Sequence, residues 1–286
     1  MFVRADRLMA EAQQARRTEH VISFYWDGYV PHLETFLVQE GSFTEVDLSH
    51  IGMEVFGPRR CVGRFDSEGY HPCPSRSVVK GFTQCPACAS AWIPDQECIF
   101  EPRCDGEECD SEFCRRPHAI YAAFTGGAVK IGMTSEKRIR ERGTEQGADA
   151  IAPLIDCRSI REARSLEKKV SMSLRLPQVS AKSEILKSLS RPPGRAQLER
   201  SHREVVDRLG RLGMSVRDEI EILDGYPVRE LPTSPIRAVD ATGLHEGEVL
   251  LVKGRHLVYR RKADPTPLLL DLSSLPSRFI RRPSRK

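Results

Sequence analysis

The chain has 286 residues, 40% of them hydrophobic and 29% charged, with a formal net charge of +4. This is the composition of a soluble globular protein long enough for two or three small domains, and the net charge is too mild to imply nucleic acid by itself. No run of about 18 apolar residues could span a membrane, and no apolar stretch follows Met1 to mark a secretory leader, so a cytoplasmic protein without membrane contact is expected.

Residues 1–19 read as a polar helix. Residues 21–56 then read as β structure: Val21 to Trp26, a turn at Asp27-Gly28, His32 to Val38, and Phe43 to Leu48 after Glu40-Gly41-Ser42.

Eight of the nine cysteines follow, between Cys61 and Cys114. Buried free cysteines scatter through a core like any small apolar residue. Clustered ones mark a metal site or a disulfide framework, and a reducing compartment favours thiolate-bound zinc over disulfides or a redox or iron–sulfur role. Cys85-Pro86-Ala87-Cys88 is a knuckle whose two sulfurs reach one tetrahedral ion. With Cys61, His71, Cys73, Cys98, Cys104, Cys109, Cys114 and His118, the stretch offers ligands for two structural zinc ions. One arrangement places Cys61, Cys73, Cys85 and Cys88 on the first ion and Cys98, Cys104, Cys109 and Cys114 on the second. An interleaved pairing is equally allowed, and His71 and His118 are either ligands or ordinary neighbours. A nearly pure thiolate supply, with no HExxH and no HxE…PCxxC pattern, excludes the usual catalytic zinc arrangements. Cys157 stands alone in an apolar run and reads as a buried strand thiol.

Residues 119–175 read as a compact α/β unit. A strand at Ala119–Phe124, a turn at Thr125-Gly126-Gly127 and a returning strand at Ala128–Thr134 form a hairpin. A helix from Ser135 to about Arg142, a strand over Ile151–Cys157 and a helix from Ser159 to about Leu174 complete it. In the last helix Glu167 lies on the apolar stripe of Ala163, Val170 and Leu174, where a carboxylate is costly unless paired or metal-bound. Arg138 and Arg142 share a face of the first helix. Tyr121, one such arginine and Glu167 brought together suit phosphodiester hydrolysis; the competing reading makes Glu167 an arginine's structural partner and Tyr121 a plain sheet residue.

Residues 196–212 read as an amphipathic helix carrying Leu198, Val205, Leu209 and Leu212 on one stripe. Val249–Lys253, His256–Arg261 and Leu268–Leu272 return to β structure. Neither terminal β segment can bury a core alone, so the two are expected to form one sheet or small barrel with the middle of the chain inserted. Two basic stretches remain, Arg158 to Arg175 and the tail with Arg278, Arg281, Arg282, Arg285 and Lys286. They read either as solvated surface or as phosphate contacts.

The order strand, tight turn, strand ending in Ile-Gly, arginine helix, glutamate helix resembles the GIY-YIG nuclease superfamily. Ala119-Ile120-Tyr121 matches its first motif and Lys130-Ile131-Gly132 its second. Arg138 or Arg142 matches the helix arginine, with Arg140 a further choice of register, and Glu167 matches the metal-binding glutamate. Lys130 stands where those nucleases carry a second tyrosine. The cysteine cluster leading into His118, this module with Glu145-Gln146-Gly147-Ala148, and the Val252-Lys253-Gly254 hairpin together resemble the uncharacterised domain of unknown function 2797 family.

The expectation is therefore an α+β protein. It comprises a helix and β segment (1–58), a zinc module (59–118), a GIY-YIG-like module (119–188), a helical linker (189–230) and a C-terminal β segment with a basic tail (231–286). The resemblance implies a nucleic-acid partner, a catalytic set of Tyr121, Lys130, Arg138, Arg142 and Glu167, and Mg²⁺ or Mn²⁺ at Glu167, as in a metal-dependent endonuclease. The alternatives are a non-catalytic nucleic-acid-binding or RNA-modification accessory protein, and a zinc-based interaction scaffold.

Overall fold

The structure, a computed structural model, describes residues 16–89, 115–176 and 182–283. Cys98, Cys104, Cys109 and Cys114, and the helix expected over the first fifteen residues, lie outside the described residues. The chain is α+β and divides into two compact units, the second inserted in sequence within the first.

The first unit covers 16–89, 234–252 and 256–283 of the described residues. Its strands are β1 (Arg16–Asp27), β2 (Val30–Leu37), β3 (Ser42–Val46), β4 (His50–Phe56), the small hairpin of β5 (Arg64–Asp66) and β6 (Gly69–His71), then β11 (Arg237–Ala238), β12 (Gly243–Lys253), β13 (His256–Arg261), β14 (Asp264–Asp271) and β15 (Phe279–Pro283). Nine of them form one sheet in the order β11-β14-β13-β12-β4-β15-β1-β2-β3. The N- and C-terminal segments do share a sheet: β12 and β15 pair antiparallel with β4, and β15 also with β1. Alternation drives this pairing. Along β2 and β4 every second residue is buried, placing Leu33, Leu37, Ile51, Met53 and Val55 on the covered face.

Two expectations change here. Residues 16–19 extend β1 and are not helical. Part of the basic tail is interior strand, while Arg285 and Lys286 lie outside the described residues: β15 lies between β1 and β4, where Arg282 makes two 2.7 Å hydrogen bonds to the buried carboxylate of Glu19, and the Arg281 guanidinium sits 4.1 Å from the Phe56 ring centre. These arginines are absorbed by the fold.

The second unit covers 115–176, 182–233 and the turn 253–255. Its sheet, in the order β10-β9-β7-β8, comprises β7 (His118–Thr125), β8 (Ala128–Ser135), β9 (Ala150–Cys157) and the short β10 (Glu221–Ile222). Its helices are α1 (Ile139–Gln146), preceded by one 3₁₀ turn, α2 (Ile160–Leu174), α3 (Lys182–Ser190) and α4 (Arg195–Arg211). Ser159 caps α2, accepting from the Glu162 backbone N–H while the Glu162 carboxylate accepts from the Arg158 N–H. Ala163, Val170 and Leu174 of α2 pack with Ile120, Ala122 and Phe124 of β7, and Leu198, Val205 and Leu209 of α4 join the same core. The segment read as a linker thus closes the module, and α3 carried too weak a pattern to be read. Leu212 lies past the end of α4 and is exposed.

Some buried polar groups are clustered. Lys253, Asp149 and Ser188 form one such cluster: the Lys253 ammonium bonds the Asp149 carboxylate and, at 2.7 Å, the Ser188 hydroxyl. The Asp149 carboxylate also accepts from the Gly126 N–H at 2.7 Å. Gly254 and Gly147 both have positive φ, and a Cβ on Gly254 would come within 2.6 Å of the Gly147 nitrogen. The Gln146-Gly147 and Lys253-Gly254 pairs, far apart in sequence, therefore meet backbone to backbone.

Three buried histidines make stability pH-dependent. Burial pushes His20, His202 and His245 below the usual range, opposed respectively by backbone carbonyls of Arg60 and Ser277, by Asp218, and by the Ala241 carbonyl, while Arg76, Arg203 and Arg261 lower them further. Their folded pKa values lie below the unfolded value of about 6.5, so above that pH they have no effect. As pH falls through 6.5 the unfolded chain takes up protons that the folded chain refuses, and stability drops by up to about 1.4 kcal/mol per pH unit for each. Melting temperature should fall between pH 7 and 5.5, and His202→Leu should flatten that slope. An unchanged slope in the variant would remove His202 from the account.

Candidate functional site

Two clusters of side chains have chemistry beyond packing, one in each unit.

In the first unit the segment after β4 folds back on itself. Arg60 N–H donates to Ser277 O at 2.6 Å and Cys61 N–H to Ser77 O at 2.8 Å, fixing both flanks of a loop. Gly63 has φ +89° and a Cβ there would lie 2.2 Å from the His71 carbonyl oxygen, so only glycine fits. The loop brings Cys61, Cys73, Cys85 and Cys88 together, all buried, with their sulfurs within 4.8 Å of one another. None is in a disulfide. The Cys73 and Cys85 sulfurs are 3.9 Å apart, against the roughly 3.8 Å that separates two thiolates on a tetrahedral zinc with Zn–S near 2.3 Å. Backbone N–H groups of Gly63 and Cys85 point at the Cys61 sulfur at 3.4 and 3.2 Å, the donors a thiolate needs.

The thiols' own acidity calls for a cation. Burial pushes Cys73 up, yet hydrogen bonds from Ser75, the Ser77 backbone and the neighbouring thiols bring it down to about 6. Burial and those same neighbours push Cys88 up. Four thiolates this close cannot all ionise in a buried site without positive charge among them. The four residues fit a metal ion such as zinc, and they match one of the two arrangements the spacing allows.

The two candidate histidines lie elsewhere. His71 Nε2 contacts the Asp66 carboxylate at 2.9 Å, outside the four-sulfur group. His118 is buried on β7, its Nδ1 2.7 Å from the Arg116 carbonyl oxygen. Cys157 is buried on β9, and burial raises it to about 11.

In the second unit β7 and β8 pair in the register Tyr121↔Gly132 and Ala123↔Lys130. Directly opposed residues share a face, so Tyr121 and Lys130 lie on the same side of the sheet, and β8 is its edge. Gly132 is there for the phenol: a Cβ at that position would lie 2.6 Å from Tyr121 Cζ and Oη. The Tyr121 hydroxyl accepts from Gln146 Nε2 at 2.6 Å, and burial raises its pKa against the pull of Gln146 and Arg142. Burial lowers Lys130, Arg142 lowers it further, and Glu167 opposes both. Burial raises Glu167, against Arg164, Lys130 and Lys168.

Tyr121, Lys130, Arg142 and Glu167 thus influence one another electrostatically. All three candidate helix arginines are ion-paired. Arg138 is held by Glu141 at 2.7 Å and Glu145 at 2.9 Å, and Arg140 by Glu221 at 2.9 Å. Arg142 is contacted by Glu145 at 2.5 Å and acts on Tyr121 and Lys130. Gln146 is the member that sequence reasoning missed; its place at the last turn of α1, four residues after Arg142, was the available signal. Among the described residues, the four cysteines are the one group of three or more His, Cys, Asp or Glu side chains placed to hold a metal.

Comparison with curated proteins and with solved structures finds no match. A family profile, described as protein of unknown function (DUF2797), matches residues 49–266, which span the cysteine loop, the β7–β8 hairpin with its helices and the Lys253-Gly254 turn. The match covers well over half of the chain, which therefore belongs to the DUF2797 family.

Proposed function

We propose that this chain is a zinc-containing, GIY-YIG-like protein that binds nucleic acid through the β8 edge of its second unit. The observation that carries the reading is that Lys130 lies on the Tyr121 face of the edge strand and Arg142 stands one turn of α1 before the Gln146 that bonds the Tyr121 hydroxyl, with Lys130, Arg164 and Lys168 acting on Glu167. Arg142 is paired with Glu145 at 2.5 Å, so these four cations face two carboxylates, Glu145 and Glu167; the remaining local excess of positive charge suits a phosphate backbone. The strand–turn–strand–helix–strand–helix order of the GIY-YIG resemblance supports the same class of partner. The cysteine centre, closed by four thiolates, serves as structural support.

The endonuclease reading is the weaker form of this proposal. Tyr121 is buried, its pKa is raised and its hydroxyl already accepts a hydrogen bond, all of which disfavour it as a general base at neutral pH. Binding without efficient cleavage is the reading we favour.

Fluorescence anisotropy with labelled single-stranded and duplex DNA and structured RNA, read across a salt series, tests the proposal. The logarithm of the affinity should fall linearly with the logarithm of salt. Arg142→Glu should weaken binding about tenfold or more and reduce the slope by about one or two. Absence of salt-sensitive affinity for every probe would leave a zinc-based interaction scaffold as the reading.

A further inference from the structure

One face of the nine-stranded sheet carries a row of rings set by register. Phe279 stands opposite Phe56 and His20, His20 opposite Phe36, and Phe36 opposite Phe43. Directly opposed residues share a face, so these rings line up across β4, β15, β1, β2 and β3. His20 and Phe279 stack with centroids 4.6 Å apart, and Phe36 and Phe43 meet edge to face at 5.4 Å. The β5–β6 hairpin adds two more rings at the outer end of the row, its cross-strand pair Phe65 and Tyr70. Tyr70 lies 4.8 Å from Phe36 and 5.0 Å from both Phe43 and Phe65, and Phe65 lies 6.1 Å from Phe43.

This end of the row is open. The Tyr70 hydroxyl donates to the Val62 carbonyl oxygen at 2.7 Å, and Phe36 is half-buried, so the inner two rings are fixed. Phe43 and Phe65 are 41% and 49% exposed, one on the edge strand β3 and one on the short hairpin. A lone exposed apolar side chain is ordinary, but two phenylalanines held against each other with solvent access form a patch. The charge around them says what suits it. From residue 59 to 88 the chain has five arginine and lysine side chains against two carboxylates, Asp66 and Glu68. Four thiolates on a zinc dication offset two of those charges, and a positive excess remains. Arg64 directly precedes Phe65, and Arg60 and Arg76 share the wall of a cavity of about 50 Å³ with Phe36 and Tyr70. Arg60 donates to the Arg76 carbonyl oxygen at 2.9 Å, and neither guanidinium pairs with a carboxylate among the described residues. Asp66 is engaged by His71 and Arg64.

We propose that Phe43 and Phe65 form a base-stacking surface for single-stranded nucleic acid, with Arg60, Arg64 and Arg76 beside them for its phosphates. Unpaired bases present open π-faces and the strand brings its own negative charge, the two features this patch matches. Phe36 and Tyr70 are positioning residues that hold the two outer rings. The inference rests on the nucleic-acid reading above and deepens it, because it names the strand type and gives the first unit the base contacts.

The test separates bases from phosphates. Fluorescence anisotropy would compare a labelled single-stranded oligonucleotide with an abasic strand of the same length and phosphate count. The wild type should bind the abasic strand roughly tenfold more weakly. Phe43→Leu with Phe65→Leu keeps apolar volume against Tyr70 and removes the ring faces. That variant should bind the ordinary strand roughly tenfold more weakly, bind the abasic strand as the wild type does, and keep the wild-type salt slope. Phe43→Tyr with Phe65→Tyr should bind like the wild type. Equal affinity of the wild type for the two strands overturns the stacking surface. So does a leucine variant that binds both strands like the wild type, or loses both equally. A leucine variant with altered sedimentation and unaltered affinity assigns the patch to a second copy of the chain and also overturns it. In each of these cases salt-sensitive affinity leaves the nucleic-acid reading standing, whereas absence of affinity for every probe overturns the two together. If the double variant does not fold, Phe65→Leu alone, at the more exposed ring, carries the same comparison.

Discussion

Replacing Cys85 and Cys88 together by serine is expected to remove one metal ion per chain and to lower the melting temperature by roughly 10 °C or more. The size follows from what the ion holds. The loop between Cys61 and Cys88 contains only two three-residue strands and one isolated bridge, between Arg60 and Val78. Its buried cluster is Val79 and the four cysteines themselves. Without an ion, that cluster has almost no apolar surface to bury, and four thiols within 4.8 Å face one another. Structural zinc contributes on the order of 10 kcal/mol to small domains at neutral pH, more than such a loop could assemble by packing. Elemental analysis of the reduced, freshly purified protein should find zinc, and calorimetry of the double variant should show an earlier transition. Unchanged melting, or no metal in the wild type, would refute the assignment.

Arg282→Ala is expected to cost about 3–5 kcal/mol, although Arg282 stands only four residues from the end of the sequence. Its guanidinium grips both oxygens of Glu19, a carboxylate 2% exposed whose other partner is the Thr35 hydroxyl at 2.6 Å. Removing the arginine strands a buried negative charge. Replacing the pair together, Glu19→Leu with Arg282→Met, should recover most of the loss, because Thr35 retains the Thr44 carbonyl oxygen at 3.2 Å as a partner. Urea denaturation of the wild type and the two variants gives both numbers. Arg282→Ala within about 1 kcal/mol of wild type would show that the pair carries little.

Much of this was legible in the sequence because the signals were local. The Gly126-Gly127 turn, the Ser159 helix start and the Asp27-Gly28 turn each fix an element from a few neighbouring residues. The shared terminal sheet followed from a general argument, that neither segment could bury a core alone. The failures were tertiary. Nothing in the local composition of Arg278 to Arg282 distinguishes a frayed basic tail from a strand whose arginines meet Glu19 and Phe56, because those partners lie more than 220 residues away. The choice among Arg138, Arg140 and Arg142 was likewise undecidable from periodicity, since all three are ion-paired, to Glu141, Glu145 or Glu221, and what marks Arg142 is its effect on Tyr121 and Lys130, residues of other elements. Four of the ten candidate zinc ligands lie outside the described residues, so the second ion stays a sequence-level expectation.

The place of β15 constrains how the chain can be made. β4 ends at Phe56 and β15 begins at Phe279, yet β15 is the strand that joins β1 to β4 in the sheet. During translation the β1–β2–β3 ribbon and β4 emerge early, and each must wait, with an open hydrogen-bonding edge, for the whole intervening sequence to leave the ribosome. The inserted unit is contiguous except for Lys253–Arg255, so most of it can fold in that interval. Nascent chains should therefore pass through a stage with a formed insert and an unfinished outer sheet, a stage suited to chaperone capture and to edge-to-edge association at high expression.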